Sequence, residues 1–366
     1  MRILHLEASP GWGGQEIRIL REAEGMRERG HEVILAVMQG GTLVKEACKA
    51  GFTVKEINFK KSHWPLALVL LLRLMRRHRI DLVNTHSSLD SWIGGIAARI
   101  AKRPIVRTRH LSTPIKQGWN SRVLYGNLAD FIVTTCGGII PMICRQSGKS
   151  ASQCRSIATG VDLTRMLADK SSADLFRSQL GLSSGDFLVG TACFMRSWKG
   201  IDDFLKAADL LRDIPEIKWV IIGGGHAKKY VQKAKELQLE GIVYFSGHLE
   251  NPFSAMAALD IFALLSTAHE GVSQALLQAA ALAKPLVATK VGGLGEVCLD
   301  RMTGLQVAPF SPNEVAKAVI EFKENRIFRQ EAGLRGRQLV EQRFTLKSTV
   351  DQMEQVYFAV LRQASL

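Results

Sequence analysis

The chain has 366 residues, enough for two domains of ordinary size, and its 46% hydrophobic and 22% charged composition excludes large-scale disorder. Six cysteines without a CxxC spacing exclude a disulfide framework and a cysteine zinc site, and read as reduced thiols. The net charge of +14 is uneven, with 25 Lys/Arg against 12 Asp/Glu in residues 1–165 and 23 against 22 in residues 166–366, so the first half suits a phosphate-bearing partner.

The opening Met1–Glu7 does not read as a signal peptide, because His5 and Glu7 interrupt the apolar run. The most apolar stretch, Leu66–Leu72, is far short of the roughly 20 residues of a spanning helix. A cytoplasmic location is therefore expected. Ile3–Leu6 reads as a strand ending in the turn Gly11-Trp12-Gly13-Gly14, and Ile17, Leu20 and Met26 then mark one face of a helix that Gly30 ends. Strands follow at Val33–Val37, Asp81–Asn84, Ile105–Thr108 and Phe131–Thr134. The helix Leu66–Arg79 has a Leu-rich face and a basic end (Arg73, Arg76, Arg77, Arg79). With Lys60, Lys61 and Trp64 it fits either an anionic bilayer or a core helix whose end complements its dipole.

Residues 163–186 are polar and lack a long apolar run, so the boundary is placed there. The pattern then restarts, with strands at Phe187–Cys193, Lys218–Ile222, Val243–Phe245, Ile261–Leu264 and Pro285–Ala288, and helices at Asp202–Arg212 and Ser273–Ala283. Alternating strands and helices predict an α/β chain of two doubly wound parallel sheets. Ligands of such sheets bind beyond the C-terminal strand ends. The expected domains are 1–165 and 166–345, with a C-terminal helix, 346–366, packing back on the first.

The residues that carry chemistry lie in strand-end loops. After the strand ending near Leu265 come Glu270, Gly271, Val272 and Ser273, then a helix bearing Gln278. A helix N-terminus offers unpaired N–H groups to a diphosphate, Glu270 can accept hydroxyl hydrogens, and Gln278, about two turns on, is placed for a ribose. A carboxylate at a helix start is also an ordinary stabilising feature. The segment Phe194-Met195-Arg196-Ser197-Trp198-Lys199-Gly200 puts two cations where a leaving diphosphate would need them. Gly223-Gly224-Gly225 is neither a Walker loop nor a GxGxxG fingerprint, which argues against a nicotinamide dehydrogenase. In the first half, Arg107, Arg109, Lys116 and Arg122 cluster after a strand, either to hold an anion or as a solvated surface.

The run from Glu270 through Gln278, Ala279-Ala280-Ala281-Leu282-Ala283-Lys284-Pro285, Val291-Gly292-Gly293, Glu296 and Thr303-Gly304-Leu305 resembles the signature of retaining glycosyltransferase family 4. The Arg-Ser-Trp-Lys-Gly segment resembles a subgroup of lipopolysaccharide-building enzymes. The resemblance implies the GT-B fold, two Rossmann-like domains facing a central cleft. It implies catalytic roles for His110, Glu270, Arg196 and Lys199, with His110 facing the donor sugar. Gly14, Gly224, Leu249, Gly271, Val272, Ser273 and Gln278 are expected on the donor, and Arg107, Arg109 and Lys116 toward the acceptor. Thr159-Gly160-Val161-Asp162 resembles a junction segment. Gln278 stands where the family carries a second glutamate, which removes charge assistance from that contact.

The implied reaction moves a hexosyl group from a UDP-, GDP- or ADP-sugar to a hydroxyl of a lipopolysaccharide or other cell-envelope glycan, with retention and without a metal or cofactor. The partners expected are that nucleotide sugar, an anionic glycan or glycolipid acceptor, and the cytoplasmic face of the inner membrane as a peripheral contact. Two alternatives are a sugar-nucleotide 2-epimerase of the same fold and a basic nucleic-acid-binding protein. No nucleic-acid-binding module or basic tail supports the latter, so no nucleic acid is expected.

Overall fold

The apolar runs assemble into two sheets in which every strand pairing is parallel. The first contains β1 (Arg2–Glu7), β2 (Glu32–Met38), β3 (Thr53–Ile57), β4 (Leu82–Thr85), β5 (Ile105–Arg109), β6 (Phe131–Thr134) and β7 (Cys154–Ser156), in the order β3-β2-β1-β4-β5-β6-β7. The second contains β8 (Phe187–Ala192), β9 (Ile217–Ile222), β10 (Val243–Gly247), β11 (Ile261–Leu264), β12 (Leu286–Thr289) and β13 (Gly304–Val307), in the order β10-β9-β8-β11-β12-β13. This is a computed structural model that describes residues 1–111, 113–166 and 170–364. Ser112, within the loop singled out above, residues 167–169 at the predicted boundary, and residues 365–366 of the predicted last helix lie outside them.

Central strands bury nearly every residue, as continuous apolar runs covered on both faces must. One face of the first sheet carries Ile19, Ala23 and Met26 of the first helix beside Met353, Val356 and Tyr357 of the last; the other carries Ala67, Leu71 and Ile93. In the second sheet Trp219 and Phe204 anchor one core, their rings edge to face at 4.9 Å. Strand order reverses between β1 and β4 and between β8 and β11. The loops after β1, β4, β8 and β11 therefore flank the two switch-point crevices.

Two compact units result: Met1–Thr159 with the segment from Leu346 onward, and Gly160–Thr345. The division precedes the expected 165/166 boundary. The Ile157 and Ala158 carbonyls accept from Arg18 and Thr349 of the first unit, whereas the Val161 amide donates to Phe344 at 2.8 Å and Val161 bridges Thr345. The polar stretch read as a boundary contains a helix, Lys170–Gln179, that buries Ala173 and Phe176 and belongs to the second unit. Strands β3, β7 and β13 are additions to the sequence reading. β3 buries only Ile57 fully and β7 has three residues, so neither shows a long apolar run.

The helix predicted at Leu66–Arg79 spans Trp64–Arg77 and has two characters. Ala67, Leu71, Leu74 and Met75 are buried, while Leu66, Val69 and the basic end face outward. Among the described residues no helix is long and apolar enough to cross a membrane.

Candidate active site

In the second unit the loops after β8 and β11 are laced together by backbone. The Thr267 amide donates to the Trp198 carbonyl at 2.8 Å. Gly200, at φ +67°, closes the turn Ser197–Lys199 so tightly that an added Cβ would lie 1.8 Å from the Leu265 carbonyl oxygen. This lacing brings Lys199 onto Glu270: Nζ donates to Glu270 Oε1 at 2.5 Å, and Ser266 Oγ donates to the same oxygen at 2.6 Å. Glu270 is only 6% exposed, so its charge is paired and hydrogen-bonded as a buried carboxylate requires. Its carbonyl accepts from the Gly293 amide at 3.1 Å, and a Cβ on Gly292 (φ +55°) would fall 1.8 Å from that oxygen. His269, just before it, holds φ +62°, a left-handed conformation costly for a residue with a side chain. Its ring meets Trp198 edge-on at 5.6 Å.

Other positions expected on the donor from sequence lie in the same unit. Gly271, Val272 and Ser273 lead into the helix Gln274–Ala281, with Val272 buried and Ser273 at the N-cap. Gln278 is half-buried in the second turn. Gly224 follows β9 with its nearest non-neighbouring atom, His248 Cβ, 3.8 Å from an added Cβ, and Leu249 is half-buried after β10. Arg196 shares the Lys199 turn but is exposed. Its guanidinium stacks over Phe194 at 5.1 Å and Trp198 at 5.2 Å. Lys199, not Arg196, is the cation on Glu270.

In the first unit a pocket of about 640 Å³ lies beyond the ends of β4 and β5. Arg107, Arg109, His110, Lys116, Trp92 and Trp119 are among its lining residues. Arg107 is 4% exposed, so it is no surface cation. It lies over the Tyr125 ring at 4.2 Å, and its Nε and Nη1 have no hydrogen-bond partner. Arg109 donates to the Tyr125 hydroxyl and to the Thr113 carbonyl, each at 2.5 Å, and burial lowers its pKa. Lys116 is exposed at the rim, and Trp119 is exposed with its ring 6.4 Å from that of Trp92. Tyr125, Trp92 and Trp119 were not singled out from sequence; Trp119 stands only three residues beyond Lys116.

The helix after β1 contributes Gln15 to this pocket. Gln15 donates to Glu7, whose carboxyl burial and the nearby Asp90 push up to about 8. Gly14 opens the helix Gly14–Glu28, and beyond its chain neighbours and the helix's own backbone no atom lies within 4 Å of an added Cβ there. In the lining of the pocket, His110 Nε2 lies 3.0 Å from His86 Nδ1, and the His110 carbonyl accepts from Thr135 Oγ1 at 3.1 Å. Burial holds both imidazoles well below the usual histidine pKa. His86 was missed because nothing in the sequence ties position 86 to position 110. Among the described residues, no group of three or more His, Cys, Asp or Glu is arranged to hold a metal ion.

The two units each match a family model: Glycosyltransferase Family 4 over residues 12–165 and Glycosyl transferases group 1 over residues 172–339. The chain is 24% identical over 367 residues to N-acetyl-alpha-D-glucosaminyl L-malate synthase of Bacillus anthracis, covering 96% of each. It is 22% identical over 348 residues to the UDP-Gal:alpha-D-GlcNAc-diphosphoundecaprenol alpha-1,3-galactosyltransferase of Escherichia coli, covering 89% of each. Its fold superposes on the crystal structure of Anabaena HepE in complex with UDP with a TM-score of 0.86 over the whole of both chains, at 24% identity. Two Rossmann-like parallel sheets with these matches define a glycosyltransferase of the GT-B fold. The chain belongs to glycosyltransferase family 4.

Proposed function

We propose that the enzyme transfers a hexosyl group, with retention, from a UDP-sugar to a hydroxyl of an anionic, lipid-linked cell-envelope glycan such as a lipopolysaccharide. The observation that carries this reading is the buried Glu270, held by Lys199 and Ser266 at the end of β11. Glu270 accepts hydrogens from the donor sugar. Lys199 meets the diphosphate, joined by Arg196 and the amides of Gly271, Val272 and Ser273, so charge on the leaving group is stabilised without a metal. Gln278 bonds the ribose, and Gly224 and Leu249 border the nucleotide. Gly14 lets a phosphate approach the backbone, since the protein itself leaves its Cβ position open. The UDP assignment draws on the fold's likeness to a protein crystallised with UDP and with UDP-glucose, and on the UDP-Gal donor of the Escherichia coli relative.

The acceptor assignment rests on the first-unit pocket. A guanidinium sealed from water without partners on Nε and Nη1 is costly unless an anion completes it. Arg107 and Arg109, with Lys116 at the rim, thus suit a phosphate or carboxylate, and Trp92 and Trp119 offer flat surfaces to a sugar ring. The two enzyme relatives fit, one named for L-malate and the other for a diphosphate-linked glycan. The outward Leu66 and Val69 with Arg73, Arg76 and Arg77 would bring the enzyme to an anionic bilayer from the cytoplasmic side.

The test is UDP release from UDP-glucose and UDP-galactose, with and without a diphospholipid-linked N-acetylglucosamine. Acceptor-dependent release that Arg107→Gln weakens through the acceptor KM supports the reading. Acceptor-independent release with a free sugar product contradicts it and points to an epimerase.

A further inference from the structure

Behind His110 runs a chain of buried polar groups that the reaction described so far leaves unused. His86 Nδ1 lies 3.0 Å from His110 Nε2, and His86 Nε2 lies 2.9 Å from His5 Nδ1. The His5 and His86 rings are within 8° of parallel. The far nitrogen of His5, Nε2, lies 4.0 Å from Glu22 Oε1 and has no hydrogen-bond partner. Glu22 is fully enclosed. It takes the Tyr357 hydroxyl, and Tyr357 in turn receives Asn84 Nδ2 at 2.7 Å. Arg18 Nε stands 3.9 Å from Glu22 Oε2, and its Nη1 donates to the Ile157 carbonyl at 2.7 Å.

Each nitrogen–nitrogen contact needs one N–H and one lone pair, so the tautomers of the three imidazoles are locked to one another. The direction is decided at the buried end. Arg18 cannot lose its proton, and a guanidinium so deep needs a counter-ion. Burial pushes the Glu22 pKa up and Arg18 opposes that shift. Glu22 is the acid beside Arg18, so it carries the balancing charge. A carboxylate facing His5 Nε2 favours a proton on that nitrogen. His5 Nδ1 must then accept from His86 Nε2, and His86 Nδ1 must accept from His110 Nε2.

We propose that His86, His5 and Glu22 are positioning residues that hold His110 as its Nε2–H tautomer, leaving His110 Nδ1 as a lone-pair acceptor for a substrate hydroxyl. The role of His110 rests on the glycosyl-transfer reading above; the tautomer does not. The imidazoles stay neutral because burial lowers all three pKa values, that of His5 to about 3. The relay makes His110 an acceptor of fixed orientation and withholds it as a proton donor toward substrate.

The test is a long-range proton–nitrogen NMR spectrum of the full-length protein labelled with 15N-histidine, with His110→Gln used to assign the His110 signals. The expected pattern is one His110 tautomer with a protonated Nε2 and a bare Nδ1. A protonated Nδ1, an imidazolium, or averaging of the two tautomers overturns the proposal. In His5→Leu, which keeps the His86–His110 contact, His110 should become a tautomer mixture. With UDP-glucose as the probe donor, His5→Leu should lower kcat by about tenfold with little change in KM. An unchanged His110 spectrum in that variant also overturns it. If the wild-type tautomer is as expected but UDP-glucose and UDP-galactose are never turned over, the functional reading fails and the relay stands.

Discussion

The candidate sites of the two units treat buried charge in opposite ways. In the second, Glu270 is neutralised from within, by Lys199 and Ser266 on loops a few residues from their strands. In the first, Arg107 is buried with Nε and Nη1 unpartnered while Nη2 donates to the Tyr125 hydroxyl, and three histidines stay neutral under burial. A site with its own counter-ion is assembled before substrate arrives. A site with an excess of buried donors is completed by an anion from outside. Under the proposed function, the second unit would take a donor whose charge displaces an existing partner, and the first an acceptor that supplies a missing one.

The largest effect expected is on turnover. Glu270→Gln should cost about 10²- to 10³-fold in kcat, comparable to losing one preorganised polar contact to a developing charge. An equal loss from the exposed Arg196→Gln would break the distinction drawn between paired and unpaired groups in that loop. Next comes Gly292→Val, which places atoms where only 1.8 Å separates an added Cβ from the Glu270 carbonyl oxygen and demands a left-handed φ. It should destabilise the fold by at least about 1–3 kcal/mol in denaturant melts.

A sharper contrast comes from two matched substitutions. Lys199→Met leaves Glu270 without its cation and should cost about 1–3 kcal/mol of stability. Arg107→Met removes a guanidinium with unmade hydrogen bonds and should stay within about 1 kcal/mol of wild type while weakening acceptor binding. If Arg107→Met proved the more damaging to stability, Arg107 would be a structural residue and the anion pocket would lose its basis.

A further effect is a pH dependence in the first unit. His5 stays neutral when folded down to about pH 3 but takes a proton near pH 6.5 when unfolded. Between those values the unfolded state binds more protons, so stability is lost on acidification, by about 1.4 kcal/mol per pH unit for a fully neutral site. Glu7 runs the other way. Its raised pKa of about 8 means that the folded state holds the extra proton, and stability falls as pH rises from about 4.5 to 8. Chemical melts from pH 6.5 to 4 should therefore show His5→Asn losing less stability than wild type. Parallel curves would show that His5 is protonated in the fold.

Much of the second-unit site was legible because its parts lie in short strand-end loops. Glu270, the Gly292-Gly293 turn and the Lys199 turn each sit directly after an apolar strand, and a residue type in a strand-end loop is visible without coordinates. The first unit hid more. Arg107 reads like any other member of a basic cluster until its burial against Tyr125 is known. The relay joins residues 5, 22, 86, 110 and 357, brought together by parallel strand order and by the last helix packing on the first sheet. No local pattern encodes that meeting. The short edge strands escaped for a simpler reason, since an edge such as β3 buries too little to show a long apolar run.

The role of Lys199 on a diphosphate is tested by calorimetric binding of UDP to the wild type and to Lys199→Met, with the fold of each checked by its melting curve. Saturable binding by the wild type is expected, with an affinity at least about tenfold weaker in the variant, a loss of about 1.4 kcal/mol. Equal affinity in both proteins, or no binding of UDP by the wild type, would contradict that role.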